Sequence, residues 1–550
     1  MIGLVGFSVF IREGNSGDQA WDDIKKSLTK AFGLKFVTKT VGVYDVEFCF
    51  NGLAKSTEVL DSFRSYFVGA MNDMQEFSTD DHGALLEFET DFIRIKNDWL
   101  GSVPIFYNET LSRISTFFQA IDQTGLEEGC GLDFDSPGLA GYFKFGYSVF
   151  EETPITGVKF AQPCSTFTLN IDNSAGFIEV LPTSLELKDD VNPLRVDNVV
   201  QSYLDKVFYK NTEKINLPLS GGLDSRWLSG LLRSRDVKCF TYSGNRFNYE
   251  AVYAKSVANQ LNLDWELIPL RNYYKHIGDW CDLYGLSTHA HGMYQIEFYK
   301  KIKQHTHGEY VVSGIFADIW AGNSSLRLES YKDLVNLGYS HGLALSGQLG
   351  FDYSALEPLA IGYYKKLESE GLIYFDALHR VRMKLILISY LMSLPRYMGF
   401  VSVTPFLNKE IALSMLSLSK NDRTNRKWQK DIIKYHRLDV EGKVSNLYAN
   451  FVNNMDANAY LNCNSDFFDI ASLSKSVPQE IFSANLESHF KKMGNNTLFD
   501  KLNLFLSSTR GVQRILDFLG VKSDKLRKLR DYQCIYPIYH YRNRRSSNDK

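Results

Sequence analysis

Cysteine is scarce and scattered in this chain, with seven in 550 residues and no two spaced as C-x-x-C. That excludes a disulfide framework and a zinc knuckle, and Cys49, Cys130, Cys164, Cys239, Cys281, Cys463 and Cys534 read as reduced, mostly buried thiols. Positive charge is not in excess either. A formal net charge of −3 gives no electrostatic case for a nucleic-acid partner, because phosphate-binding surfaces carry a basic stripe. Long apolar runs are missing too: "LILISYLMSL", residues 385–394, is about half the length that spans a bilayer and reads as a buried helix. No basic segment precedes the first apolar residues. "GLVGFSVF" stops at Ile11-Arg12-Glu13 and reads as a strand rather than a signal peptide, so a cytoplasmic protein without membrane contact is expected.

What is present is ordinary for a globular chain, with 23% charged and 44% hydrophobic residues, and the length implies two large domains. The 38 Phe and 31 Tyr are expected to fill aromatic-rich cores. Up to about residue 185 the apolar runs are short and alternating, as in "VEFCF" and "STFTLNI", which is the period of antiparallel strands. A polar stretch from Leu187 ends at Pro193. Beyond it Val196, Val199, Val200, Leu204, Val207 and Phe208 recur at helical spacing. The boundary is placed there, giving domains 1–190 and 195–550. The second begins as repeated β-α units, which imply parallel strands under right-handed crossovers and a doubly wound α/β core. Past residue 325 the pattern is mostly helical, and the basic tail "YRNRRSSNDK" reads as frayed.

Within the first β-α unit lies "INLPLSGGLDSRWLSGLL", residues 215–232. A loop that leaves a buried strand and opens a helix aims backbone N–H groups at an anion, and the helix dipole adds to them. Gly221 and Gly222 let an anion come close to the backbone; Ser220 and Ser225 offer hydroxyls. Asp224 would repel a phosphate unless a divalent cation lay between them, which points to Mg²⁺. No Lys-Ser/Thr pair follows the glycines, so this is not a Walker loop.

S-G-G-x-D-S resembles the pyrophosphate loop of the ATP pyrophosphatases, and further matches narrow the resemblance to the asparagine synthetase family. "EYVVSGIFADIWAGN" resembles its S-G-E-G-x-D-E-x-F-G-G segment, keeping Ser313, Gly314, Asp318 and Gly322. "TPFLN", "NDWLGSVPIFY" (Asp98, Gly101, Pro104, Tyr107) and "FEETPITGVKFAQP" (Gly157, Pro163) resemble three more of its elements, so that residues 1 to about 440 are covered. The resemblance implies an Ntn-hydrolase-like αββα sandwich in the first half and an ATP-pyrophosphatase domain with a helical C-terminal part in the second. It places Mg²⁺ on Asp224 and Asp318, and ATP along Ser220, Gly221, Gly222, Asp224, Ser225, Ser243, Ser313 and Gly314. A late lysine, Lys443 or secondarily Lys430, would stabilise the acyl-transfer step. It allows a homodimer.

Two departures qualify the match. The family's glutaminase cysteine follows the initiator methionine, whereas residue 2 here is Ile2, so this domain is expected to act as a scaffold or docking surface rather than to hydrolyse glutamine. Ile315 stands where relatives carry a glutamate after S-G, removing a carboxylate suited to handling the amine proton. His289 and His291 in "STHAHGMYQ" are the candidate replacements, with Tyr294 behind them. The expected reaction is ATP-dependent amide formation between a small-molecule or peptide carboxylate and an amine or ammonia. That wording covers relatives such as the β-lactam and lasso-peptide macrolactam synthetases. The alternative is a nucleotide-binding protein without ligase activity.

Overall fold

The computed structural model describes residues 4–12, 19–51, 65–70, 82–121, 133–189, 191–210, 212–244, 248–306, 308–322, 328–337, 344–441, 453, 455–456, 468–477, 481–491, 493 and 524–546. The first half is built on strands β1 (Leu4–Ile11), β2 (Leu34–Val41), β3 (Tyr44–Asn51), β4 (Ser65–Ala70), β5 (His82–Phe88), β6 (Phe92–Asn97), β7 (Phe106–Asn108), β8 (Arg113–Ser115), β9 (Val158–Phe160), β10 (Ser165–Asn170) and β11 (Gly176–Val180). They form two antiparallel sheets, ordered β2-β3-β1-β8-β7-β9 and β11-β10-β6-β5-β4. Alternating side chains such as Phe7, Val9, Phe48, Ile95, Ile114 and Phe167 close a core between them.

Helix α1 (Gln19–Phe32) covers the six-stranded sheet, where Trp21 Nε1 donates to Glu47 at 2.7 Å. The outer face of the five-stranded sheet is charged, with Lys96 paired to Glu87 at 2.7 Å across β5 and β6. The second helical layer expected of an αββα sandwich does not appear among the described residues: helix α2 (Ser136–Phe145) packs instead on a helix of the second half, Leu356–Ser369.

Helix α3 (Pro193–Val207) opens the second half, with Asn192 capping it by accepting from the Arg195 N–H at 3.0 Å. A parallel sheet follows, built from β12 (Lys214–Pro218), β13 (Asp236–Ser243), β14 (Asp264–Pro269), β15 (Tyr310–Val312) and β16 (Val401–Val403) in the order β14-β13-β12-β15-β16. Its crossovers carry α4 (Leu223–Leu232), α5 (Tyr249–Leu261), α6 (Ile277–Tyr284), α7 (Tyr294–His305), α8 (Ala317–Trp320), α9 (Tyr331–Leu337), α10 (Leu356–Ser369), α11 (Asp376–Ile388) and α12 (Tyr390–Tyr397). Helices α13 (Lys409–Leu416), α14 (Lys420–Arg423) and α15 (Lys427–Tyr435) come next. The stretch 385–394 spans the end of α11 and the start of α12, and among the described residues no helix is long and apolar enough to cross a membrane.

One apolar cluster runs through both halves, from Val5, Trp21 and Phe118 to Trp280, Trp320 and Tyr541. Trp99 lies at its centre: its ring stacks on Trp320 of α8 at 5.9 Å, and its Nε1 donates to the Leu407 carbonyl at 3.0 Å. The residue before it, Asp98, is fully buried and accepts from the amides of Gly83, Leu100 and Ser102. Burial pushes its carboxyl up to about 6 against those hydrogen bonds.

As far as Ser546 the basic tail is not frayed as expected. Helix Asp524–Ser546 runs into it, and Arg544 pairs at 2.7 Å with Asp282, a buried carboxylate that also meets His540. A buried anion needs such partners, and the tail supplies them. The five described cysteines, Cys49, Cys164, Cys239, Cys281 and Cys534, are buried thiols; Cys130 and Cys463 lie outside the described residues.

Because Trp99 joins the halves, Trp99→Ala should cost about 3–5 kcal/mol of stability, read as a lower denaturant midpoint for the whole chain. A midpoint within experimental error of the parent would show that the seam is not a shared core.

Candidate nucleotide and metal site

In the parallel sheet the order reverses between β12 and β15, and a reversal of this kind opens a crevice at the carboxyl ends of the strands. Two turns leave those ends. After β12 comes Ser220 to Ser225; after β15 comes Ser313 to Asp318. The structure brings the two together. A Cβ on Gly314 would sit 3.2 Å from the Asp224 Cβ and 3.3 Å from the Ser225 nitrogen, so the second turn lies directly on the first.

The first turn is tied by its own serines. Ser220 N donates to Ser225 Oγ at 3.0 Å, the two hydroxyls share a hydrogen bond of 2.9 Å, and Gly222 N donates to Ser220 Oγ at 3.1 Å. Helix α4 starts without a side-chain cap, which leaves its first amides to an incoming anion. Arg226, a residue the sequence reading passed over, braces the turn from below. It is 2% exposed, donates to the Gly221 carbonyl at 2.7 Å and pairs with Glu441 at 2.8 Å. The signal was available, since an arginine on the apolar face of "SRWLSGLL" must find partners when buried.

Asp224 is partly buried, and its Oδ1 accepts from Gln429 Nε2 at 2.7 Å and from Arg426 Nη2. Burial raises its carboxyl to about 6; the Arg426 guanidinium opposes the rise and the Asp318 carboxylate adds to it. Asn425 and Arg426 both hold left-handed backbone, with φ of 53° and 56°, which turns this guanidinium inward from the start of α15.

Across the crevice Asp318 lies in the single turn α8, which follows Phe316, another left-handed residue with φ of 68°. Gly322, with φ of 95°, ends that segment; a Cβ there would lie 2.3 Å from the Arg423 carbonyl. Asp318 acts electrostatically on both Arg380 and Lys384, one helical turn apart on α11. Burial lowers the Lys384 ammonium and Asp318 opposes that shift. Arg382, between them in sequence, faces away to the Trp99 carbonyl at 2.7 Å. The site therefore gathers two carboxylates and three cations, Arg380, Lys384 and Arg426.

The remaining candidates are placed as follows. Ser313 Oγ accepts from Ile315 N at 3.3 Å, inside the second turn. Ser243 ends β13 but is 1% exposed and its hydroxyl accepts from Asn248, the cap of α5. His289 is buried and its Nδ1 accepts from the His291 N–H at 2.9 Å, so its ring caps the turn Ala290–Met293; burial holds it neutral. The His291 ring lies edge-on to Tyr294, 5.7 Å away, and Tyr294 in turn meets Tyr242 of β13 at 5.4 Å. Lys430 is exposed on α15, while Lys443 and Ile2 lie outside the described residues.

A pair of carboxylates facing a phosphate-shaped turn fits Mg²⁺, which takes one or two carboxylates and fills its shell with water and phosphate oxygens. Among the described residues no group of three or more His, Cys, Asp or Glu forms an all-protein metal cage. No protein-family model matches the chain and no curated protein matches it, so the site is read from its own geometry.

The raised carboxyl of Asp224 has a signed consequence. Its contribution to stability is complete below the ordinary aspartate range near pH 4 and is lost as pH rises through about 6, where the folded chain must ionise it. Between pH 5 and pH 8, in the absence of nucleotide and metal, the parent should lose about 1–2 kcal/mol relative to Asp224→Asn. Urea unfolding of both proteins at the two pH values measures this, and parallel pH dependences would contradict it.

Proposed function

We propose that this chain is an ATP-dependent amide ligase of the asparagine synthase type. It would activate a carboxylate as an acyl-adenylate, release pyrophosphate, and pass the acyl group to an amine or ammonia. The observation that carries the reading is the meeting, at the β12/β15 reversal, of the Ser220–Ser225 turn with the Ser313–Asp318 turn, carboxylates facing and cations around them. In this reading the first half is a glutaminase-like scaffold without its own nucleophile. The stacked antiparallel sheets support that, and Ile2 in place of a cysteine supports the loss.

The protein's own groups divide the work. The amides opening α4 and the hydroxyls of Ser220 and Ser225 bind the polyphosphate. Mg²⁺, held by Asp224 and Asp318, would screen its charge. A carboxylate oxygen of the substrate attacks the α-phosphorus, the bond from that phosphorus to the bridging oxygen breaks, and the charge that develops on pyrophosphate falls between Arg380, Lys384 and Arg426. In the second step the amine nitrogen attacks the acyl carbon and AMP departs. The amine proton then needs an acceptor. Of the two histidines, His289 is engaged as a cap, which leaves His291 beside Tyr294 for that role.

A second reading, a nucleotide-binding protein without ligase activity, is favoured by one observation. Arg426 already neutralises Asp224 within the protein.

Exchange of labelled pyrophosphate into ATP, driven by a panel of amino acids, peptides and sugar acids, separates the two. The ligase reading expects carboxylate-dependent exchange that Asp224→Ala abolishes and Lys384→Met slows by about 100-fold. ATP binding without exchange across the panel would leave only the second reading.

His291 can be tested on the transfer step alone. His291→Gln should keep exchange within about threefold of the parent while lowering amide formation by about 100-fold. Equal loss in both assays would remove it as the proton acceptor.

A further inference from the structure

A cleft between the two halves has a chemistry that the proposed reaction does not use. Its walls are Gly69 and His82 from β4 and β5, Ser102, Met392 and Arg396 from α12, and Ser402 on β16. Around Ser102 and Arg396 it continues into a second hollow that reaches Thr116, Ser389 and Ser393.

Three polar side chains facing this cleft lack partners among the described residues. Among the described residues the Arg396 guanidinium makes no hydrogen bond or ion pair and its Nε is buried; the residue's main-chain carbonyl accepts from Gly399 N at 2.9 Å and from Asn51 at 3.4 Å. The titratable groups that act on it are the neutral phenols of Tyr397 and Tyr284, not a carboxylate. His82 is 4% exposed and neither ring nitrogen has a partner. Ser402 is 5% exposed and its hydroxyl is likewise unpartnered. A half-buried cation with a buried, unpaired Nε and two buried polar groups left unsatisfied in one cavity are costly unless something fills it.

We propose that this cleft binds a small monocarboxylate, held by the Arg396 guanidinium, a ring N–H of His82 and the Ser402 hydroxyl. The charge count selects a monoanion. Burial, with Arg396 nearby, pushes the imidazole of His82 down to about 3, so it donates a hydrogen bond but no second positive charge. Behind Ser102 sits Asp98, to which the Ser102 hydroxyl donates, and its negative charge disfavours a phosphate dianion. A guanidinium and a planar carboxylate match in a two-point hydrogen bond, which gives the site its preference. The inference stands apart from the ligase reading, because none of these residues belongs to the nucleotide site.

Calorimetric titration of the full-length protein with sodium acetate, against sodium chloride and sodium phosphate at equal ionic strength, tests it. Acetate should bind once per chain, with phosphate and chloride displacing it poorly. Arg396→Gln should weaken acetate about tenfold or more, and Ser402→Ala, which leaves the backbone and charge unchanged, several-fold. Asp224→Ala should bind acetate as the parent does, even if it loses pyrophosphate exchange. If Arg396→Gln fails to fold, Ser402→Ala decides. Acetate affinity unchanged in the variants, or phosphate binding as tightly as acetate, would overturn the proposal.

Discussion

Parallel pairing of β12 with β15 is the constraint on which the second half depends. Only through that pairing do turns nearly a hundred residues apart in sequence come within one side chain's width. The register is fixed from inside the sheet by Asn216, a buried polar residue in the middle of β12 whose Nδ2 donates to the Gly308 and Tyr310 carbonyls at 3.1 and 2.9 Å. Both N–H groups of that buried amide find acceptors only on this approach of β15, and a slipped register would leave them unanswered. Gly314 then completes the approach by having nothing to put between itself and Asp224.

Charge is arranged around that contact with little slack. Asp318 raises the cost of ionising Asp224, and the protein answers with Arg426 and Gln429 on Asp224 and with Arg380 and Lys384 near Asp318 rather than with distance. Left-handed backbone at Asn425, Arg426 and Phe316 is the strain that accompanies this. Such strain persists where neighbouring structure over-determines it, and here both strained turns carry a site residue. Arg226 works in the opposite sense, holding the Gly221 carbonyl on the far side of the turn from the open amides.

Much of this was legible in the sequence, and what was not has definite causes. Strand, turn and helix around Ser220–Ser225 follow from local pattern, and Asp318 follows from the second turn's resemblance. Parallel order in the sheet follows from the β-α repeats. Arg380 and Lys384 gave no local signal, because a buried cation and a solvated one look alike on a helix until its facing neighbour is known. Arg426 sat in a basic run that reads as a solvated face; Lys427, Lys430 and Lys434 are indeed exposed, but the left-handed residues turn Arg426 inward. The docked tail was missed for a similar reason: Asp282, the anion that receives Arg544, is some 260 residues away in sequence. His289 shows the limit from the other side, since its nitrogen is spent on the turn of its own motif.

Trp99 stacked on Trp320 has an evolutionary consequence. A module whose side chain forms the floor beneath its neighbour's Asp318-bearing turn can change elsewhere, yet deleting it would uncover that floor. Inheritance then acts as a ratchet: substitutions away from the seam are tolerated, whereas changes that shorten the first half past the tryptophan are not. Drift in the first half should spare the residues beneath α8 and fall on the charged outer face of the five-stranded sheet.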